Sequence, residues 1–216
     1  MKKIVLLGDS IRLGYEAYVR NALADVAEIY SPTNDNCRFA EYTLRYAHEW
    51  KANGKWPSDI DVVHWNAGLW DALRLFNDEP MTPPDIYAYY ISRIDKRLRL
   101  IFPKAKMIFA TSTSVDEPWF RGQGYERRNS EIAALNEAAI RALADTDTII
   151  NDLYTLTLSL PASARSDGTH FNNDEGCRYM GSFVTYALAK AMDIDPSTLP
   201  TVDVKAKSIA ADILGY

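Results

Sequence analysis

Short runs of apolar residues alternate with longer stretches of mixed polarity along this chain. The first run covers residues 3–7 and is rich in branched side chains. Apolar runs this short, without internal polar alternation, are typical of strands buried on both faces of a parallel sheet. The pattern predicts five strands, at residues 3–7, 26–30, 60–65, 106–111 and 148–150.

The stretches between these runs carry apolar residues at helical spacing. Helices are predicted over residues 12–25 and 38–52, from Asn129 to Leu143, and from Asn172 to about Met192. Another helix is predicted to start at Thr82, a favoured N-cap residue followed by prolines that suit a first turn. Its predicted buried face consists of Ile86, Tyr90, Ile94, Leu98 and Ile101.

Repeated alternation of strand and helix implies right-handed crossovers and a parallel sheet covered on both faces. We therefore predict a three-layer α/β/α flavodoxin-like fold with a five-stranded parallel sheet. Residues 1–192 are expected to form this domain. Residues 193–216 are a C-terminal extension, with a turn and a short helix, either packed on the domain or used as an arm. Ligands bind such sheets at the carboxyl ends of the strands.

Charge and composition narrow the function classes. The net charge of −5 and the pI near 5.3 argue against a nucleic-acid partner, which would need a basic surface. No apolar run is long enough to span a bilayer, and the apolar start before Gly8 is too short for a signal peptide. We expect a cytoplasmic protein in which Cys37 and Cys177 stay reduced and unpaired.

The first predicted strand ends in Gly8-Asp9-Ser10, and a helix follows almost at once. A serine at a helix N-terminus lies among backbone N–H groups that favour negative charge, so it can act as a nucleophile with its own N–H in the oxyanion hole. The same position is also one where serine often only caps a helix.

A serine nucleophile needs a base, and the chain has three histidines. His64 lies inside an apolar strand and is interpreted as a core residue, and His48 lies in the middle of a predicted helix. His170 lies in an irregular polar stretch, three residues after Asp167. A turn loosened by Gly168 can fold this carboxylate onto the imidazole, as acyl transfer requires.

These segments together resemble the GDSL esterases of the SGNH hydrolase superfamily, over residues 4 to about 190. The first block is Gly8-Asp9-Ser10-Ile11, with Ile for the usual Leu, and the last is Asp167-Gly168-Thr169-His170. The resemblance implies that Ser10 is the nucleophile, His170 the general base and then acid, and Asp167 the orienting carboxylate.

The two middle blocks depart from the usual family pattern. These departures together resemble a variant branch of the superfamily. The second block usually supplies a glycine N–H to the oxyanion, but here the loop runs from Asn34 to Arg38 without glycine. Asn36 tolerates a left-handed backbone best, and Cys37 is the alternative. In the third block, anchoring on Gly68 puts Trp70 at the usual asparagine position, whereas Asn66 offers the usual side-chain amide.

Aromatic residues make up 12% of the chain, and several fall in the predicted loops. Planar rings suit sugar rings or acyl groups, so Trp65, Trp70 and Trp119 are candidate substrate contacts, alongside their simpler role of pinning loops onto the body. Arg38 is a candidate for binding an acidic group of the substrate, although ordinary solvation explains it equally well.

The sequence therefore predicts a serine esterase that hydrolyses an oxygen ester through an acyl-serine intermediate, with no metal and no organic cofactor. The resemblance and the aromatic loops favour a short acyl group, such as acetyl, on a carbohydrate. One rival is a non-catalytic carbohydrate- or ligand-binding module on the same fold. Another is a nucleotide- or flavin-binding protein, which leaves Asp167 and His170 unexplained. The oligomeric state stays open.

Overall fold

The computed structural model describes residues 1–33 and 35–202. Within that part, the strands are β1 (Lys2–Leu7), β2 (Ala27–Tyr30), β3 (Val62–Trp65), β4 (Arg74–Leu75), β5 (Lys106–Ala110), β6 (Tyr125–Glu126) and β7 (Ile149–Asn151). The α-helices are α1 (Ser10–Ala22), α2 (Ala40–Asn53), α3 (Pro84–Ile101), α4 (Asn129–Leu143), α5 (Leu153–Ser159) and α6 (Asp174–Ala191). The predicted C-terminal helix lies outside the described residues.

Five of the strands form a parallel sheet in the order β2-β1-β3-β5-β7. The last four residues of β1 have no exposed surface, which explains their purely apolar composition. Helices α1 and α6 pack on each other, and α3 packs against both α2 and α4, so helices flank the sheet on both faces. The predicted α/β/α flavodoxin-like fold is confirmed.

The strand order reverses between β1 and β3. Leu7 pairs with Trp65, which in turn pairs with Phe109, so these strands end level with one another at the carboxyl edge of the sheet. The helix after β1 and the helix after β3 leave toward opposite faces and open a crevice between them. This switch point is where open α/β sheets bind ligands.

Helix α3 buries most of the predicted face, since Ile94 and Leu98 are fully buried and Tyr90 and Ile101 pack partly buried against the core, but it does not bury Ile86. Its buried apolar side chains are Tyr87, Ile91, Ile94 and Leu98, whereas Ile86 is 43% exposed. The hydroxyl of Tyr87 donates to the carbonyl of Ala67 at 2.7 Å and ties the helix to the loop after β3. The buried stripe therefore shares Ile94 and Leu98 with the predicted one and begins at Tyr87 instead of Ile86.

Two predicted helix starts are wrong by a residue. The N-cap of α3 is Pro83, not Thr82, and α3 begins at Pro84. The N-cap of α6 is Asn173, not Asn172, and its side chain accepts from the Gly176 N–H at 2.8 Å. In the described residues, no helix is both long and apolar enough to cross a membrane.

Candidate active site

The carboxyl end of β1 leads directly into α1. Asp9 is the N-cap, and its Oδ1 accepts from the backbone N–H of Ile11 at 3.0 Å, which makes Ser10 the first residue of the helix. Gly8 has no room for a side chain, because a Cβ there would lie 1.9 Å from Oδ1 of Asn66. The glycine thus lets the end of β3 approach Ser10 closely.

Ser10, His170 and Asp167 form a chain of hydrogen bonds at this edge. The Ser10 Oγ lies 2.8 Å from His170 Nε2, and His170 Nδ1 lies 2.7 Å from Asp167 Oδ2. Ser10 and His170 are 160 positions apart in the sequence, so the packing of α6 against α1 brings them together. This arrangement has the connectivity of a nucleophile, a base and an orienting carboxylate.

The turn from Asp167 to His170 holds the carboxylate in place through the backbone. Asp167 Oδ1 accepts from the N–H groups of Thr169 at 2.6 Å and His170 at 2.7 Å. Burial acts to raise the pKa of Asp167, but the hydrogen bond and charge of His170, together with these backbone donors, lower it to about 2. Asp167 is therefore ionised across the neutral range and able to stabilise a histidine cation.

A second carboxylate, Asp9, lies beneath the site and is fully buried. Burial raises its pKa above the usual value, although the Ile11 N–H, the Asn66 side chain and the charges of His170 and Arg127 oppose that shift. Asp9 is tied into the helix start, whereas Asp167 bonds the imidazole, so only Asp167 can orient it.

A cavity of about 700 Å³ opens over Ser10 and His170. Its polar floor is formed by these two side chains with Asp167, Thr169 and Arg127, and its walls are largely apolar. The apolar wall residues include Leu69, Trp70, Leu73, Leu75, Phe76 and Trp119. The volume is that of a small-molecule site, with few polar groups at the point of chemistry.

Solved structures with this architecture share little sequence with the chain. A lipase/acylhydrolase from Enterococcus faecalis is 19% identical with a TM-score of 0.67, over 94% of this chain and 100% of its own. A carbohydrate esterase family 3 protein from Talaromyces cellulolyticus is 18% identical with a TM-score of 0.69, over 90% and 100%. A GDSL-like lipase from Bacteroides thetaiotaomicron is 20% identical with a TM-score of 0.59, over 88% and 89%.

The chain has the SGNH hydrolase fold. At these identities the likeness establishes the fold, and the roles of individual residues have to be argued from the site itself. No protein-family model and no curated protein matches the sequence.

The loop after β2 adopts a left-handed backbone, but not at the residue we preferred. Cys37 has φ +50° and Arg38 has φ +34°, whereas Asn36 lies outside the left-handed region. The side chain of Asn36 instead accepts from the Arg38 N–H at 3.2 Å and closes a local turn. The expectation for the Asn36 backbone is thus wrong, and Cys37, the alternative, has that geometry.

The buried Arg12 fixes the loop after β2 against α1. Its guanidinium is 1% exposed, forms an ion pair with Glu16, and donates to the carbonyl of Asp35 at 2.7 Å. The guanidinium N–H groups donate inside the protein, where leaving the positive charge unpaired would cost free energy. Arg12 therefore fixes the position of the loop after β2 relative to α1.

Asn66 and Trp70 both lie at the site. Asn66 is 4% exposed, and its side chain meets Gly8 and Asp9 next to the start of α1. Trp70 is half-buried, lines the cavity, and packs on Phe39 with ring centroids 5.5 Å apart. The amide thus lies beside Gly8 and Asp9, which precede Ser10 in the chain, while the indole belongs to the cavity wall.

Two predicted substrate contacts are placed elsewhere. Trp65 has no exposed surface and packs edge-on against Phe109 in the core, so the prediction that it contacts substrate is wrong. The parallel sheet extends as far as Trp65, and both faces of the sheet are covered there. Arg38 is exposed, with its guanidinium over the Tyr42 ring at 5.3 Å, and does not line the cavity over Ser10.

Trp119 lines the cavity as predicted and is 40% exposed. Its ring presses on the turn that carries the base, since a Cβ on Gly168 would lie 2.7 Å from it. The Asp116 N–H also donates to the Gly168 carbonyl at 2.8 Å. The aromatic loop after β5 and the turn from Asp167 to His170 are therefore packed as one unit.

A small antiparallel ribbon of β4 and β6 forms one wall of the cavity, and no sequence pattern predicts it. Arg74 anchors it by donating to Glu131 on α4 at 2.8 Å. The Met81 N–H donates to the Leu73 carbonyl at 3.0 Å and closes the base of the segment that carries β4. Both strands are two residues long, too short for any periodic signal.

Two further observations concern the interpretation of other polar residues. His64 is fully buried, its Nε2 accepts from Asn151 Nδ2 at 3.1 Å, and burial lowers its pKa to about 3, so it is a neutral core residue. Within residues 1–33 and 35–202, no group of three or more His, Cys, Asp or Glu side chains is arranged to hold a metal ion. Cys37 and Cys177 are both free and buried.

Proposed function

We propose that the protein is a serine esterase that hydrolyses a short acyl ester, acetyl in the first instance, on a carbohydrate. The observation that carries this proposal is the hydrogen-bonded chain from Ser10 through His170 to Asp167 at the floor of an apolar cavity. This chemistry draws its groups from protein side chains and uses no metal and no organic cofactor.

In the proposed acylation step, Ser10 Oγ attacks the ester carbonyl carbon while His170 Nε2 takes its proton. The ionised Asp167 holds the ring through Nδ1–H and stabilises the imidazolium that forms. Collapse of the tetrahedral intermediate breaks the bond to the alcohol oxygen, which leaves with the proton from His170. Water, which gives a proton to His170, then attacks the acyl carbon; the bond to Ser10 Oγ breaks, Oγ takes that proton back from His170, and the acyl group leaves as the carboxylic acid.

The oxyanion of this intermediate needs donors beside Ser10. We propose the Ser10 backbone N–H, which is free of an intrahelical acceptor at the first position of α1, and the Asn66 side-chain amide. Asn66 fits this role better than Trp70, because it meets Gly8 and Asp9 directly. A further donor from the loop after β2 would come from the backbone at Cys37 or its neighbour Asn36.

The walls of the cavity support a sugar ester rather than a charged substrate. Trp70 and Trp119 offer planar apolar faces that suit the C–H surface of a pyranose ring, whereas Arg38 lies outside the cavity. The fold likeness to a carbohydrate esterase family 3 protein is consistent with this class of substrate.

The decisive experiment compares wild-type protein with Ser10→Ala on p-nitrophenyl acetate. We expect turnover to fall by a factor on the order of 10⁴ or more, to background, with unchanged circular dichroism. Unchanged turnover in this variant would disprove the assignment. A fluorophosphonate probe should label Ser10 in the wild-type protein, whereas a folded protein that takes no label would be a binding module.

A further inference from the structure

A second cavity, of about 430 Å³, adjoins the cavity over Ser10. The two share Phe76, Gly124 and Tyr125 as lining residues, so these residues form the boundary between them. The proposed reaction uses only the first cavity. The second therefore has no role in the chemistry described above.

Phe76, at this boundary, combines an exposed side chain with a left-handed backbone. Its side chain is 85% exposed, and its backbone has φ +52°, followed by Asn77 with φ +62°. The Phe76 N–H donates to the Gly124 carbonyl at 2.9 Å, and a Cβ on Gly124 would lie 3.3 Å from the ring. A bulky residue in the left-handed region costs free energy, and such strain is concentrated at binding and catalytic sites.

The lining of the second cavity is more polar than that of the first. Within the described residues, the exposed side chains of Arg121 and Gln123 make no hydrogen bond, so their donors are available to a ligand. The carboxylates there are already engaged, since Glu117 accepts from the Asn129 N–H at 2.7 Å and Glu126 pairs with Arg128 at 2.5 Å.

Planar apolar surface next to hydrogen-bond donors is the combination that recognises a sugar ring. The charges around the second cavity largely balance, because Glu126 is paired with Arg128, and Glu117 and Arg121 carry opposite charges, so a neutral ring is favoured. The boundary position of Phe76 allows one ligand to lie in both cavities at once.

We propose that the second cavity binds an additional neutral sugar ring of the acceptor, so that the substrate is an acylated oligosaccharide rather than a monosaccharide. The ester-bearing ring lies over Ser10, and the next ring crosses the face of Phe76 and meets Arg121 and Gln123. The catalytic half of this statement rests on the proposed function, whereas the binding half does not.

The kinetic test compares acetate release from fully acetylated xylobiose and fully acetylated xylose. We expect wild-type kcat/KM to be at least about tenfold higher for the disaccharide, from the additional buried ring contact. Phe76→Ala should bring the ratio close to one, and Phe76→Trp, which restores a planar face, should recover most of it. The control is Tyr186→Ala, an exposed aromatic residue on α6 that lines neither cavity and should keep the wild-type ratio.

The binding test is independent of turnover and uses Ser10→Ala protein with unacetylated xylotriose in a calorimeter. We expect Phe76→Ala in this background to weaken binding at least about fivefold, and Tyr186→Ala to leave the Kd unchanged. Thermal melts establish that each variant is folded.

The two tests separate this inference from the proposed function. A wild-type ratio near one, a preference that survives Phe76→Ala, or equal xylotriose binding by both variants would overturn the second cavity as a sugar site. Loss of xylotriose binding in Phe76→Ala, in a protein whose Ser10 takes no fluorophosphonate, would instead retain the site and reject the esterase.

Discussion

The floor and the wall of the cavity are built on opposite principles. The floor is made of side chains that are fixed by hydrogen bonds: Ser10 at the end of β1 and His170 are buried, and Asp167, in the turn before α6, is half-buried. The wall is made of apolar side chains on short segments and ranges from the buried Leu69 to Phe76, which is the most exposed of them. A fixed floor sets the chemistry, whereas a wall on loops can change with the substrate.

The largest effect is expected at the floor. Replacing Asp167 by Asn keeps the shape and the backbone hydrogen bonds of the turn, but removes the charge that orients and stabilises His170. We expect kcat on p-nitrophenyl acetate to fall by about 10³–10⁴-fold. A fall of less than tenfold would show that the carboxylate does not act on the base, and the floor would lose its distinction from the wall.

The next largest effect separates floor from wall among the oxyanion candidates. Asn66→Ala should lower kcat by about 10²–10³-fold, because it removes a donor used only in the transition state. Trp70→Phe keeps the apolar face without the indole N–H, and should change kcat by less than about fivefold. The reverse order of the two effects would make Trp70 the donor. Rates on p-nitrophenyl acetate at saturation give the comparison.

A several-fold effect is expected at the anchor of the wall. Arg74→Ala breaks the ion pair with Glu131 that holds β4 against α4. Because the floor is untouched, we expect KM for an acetylated sugar to rise about three- to tenfold while kcat changes less than twofold. Arg141→Ala, which breaks an exposed ion pair with Glu137 elsewhere on α4, is the matched control. Equal effects of the two variants would contradict the role of the anchor.

The smallest effect is on stability at low pH. The pKa of Asp167 is about 2 in the folded protein and lies near 3.8 in the unfolded chain, so its ionised form favours folding. This contribution is complete above pH 4 and is lost as the pH falls through 2. The Tm difference between wild type and Asp167→Asn should therefore shrink from pH 4 to pH 2 in calorimetry. A difference that stays constant would show that Asp167 has no stabilising partner.

The sequence predicted the floor and the sheet better than the wall, for a physical reason. The strands, Ser10 at the start of a helix and the Asp167–His170 turn are determined by local patterns and by which strand ends meet. The ribbon joins residues about fifty positions apart through two-residue strands, and no periodicity marks them. Helix α5 is similarly short and lies within a stretch predicted to be irregular.

The misplaced residues reflect the limits of one-dimensional patterns. The apolar run correctly predicts Trp65 as the last residue of a strand, but its position next to the loop suggests a substrate contact, whereas its side chain is fully buried in the core. Helical spacing correctly predicted that Ile94 and Leu98 are buried but placed Ile86 with them, whereas the first turn of α3 buries Tyr87, whose hydroxyl bonds the Ala67 carbonyl. The backbone at Cys37 depends on Arg12 and Asp35, which are brought together by the fold.

The closure between Leu73 and Met81 has a consequence for protein engineering. The chain leaves the body of the protein at one of these residues and returns at the other, with their backbones joined by one hydrogen bond. A segment of different length and composition can therefore be grafted between them without displacing β3 or α3, because lengthening a closed surface loop costs little entropy. Residues 74–80 can in this sense be exchanged as a unit, and under the proposed function new acceptor preferences can be selected there while Ser10, His170 and Asp167 stay in place.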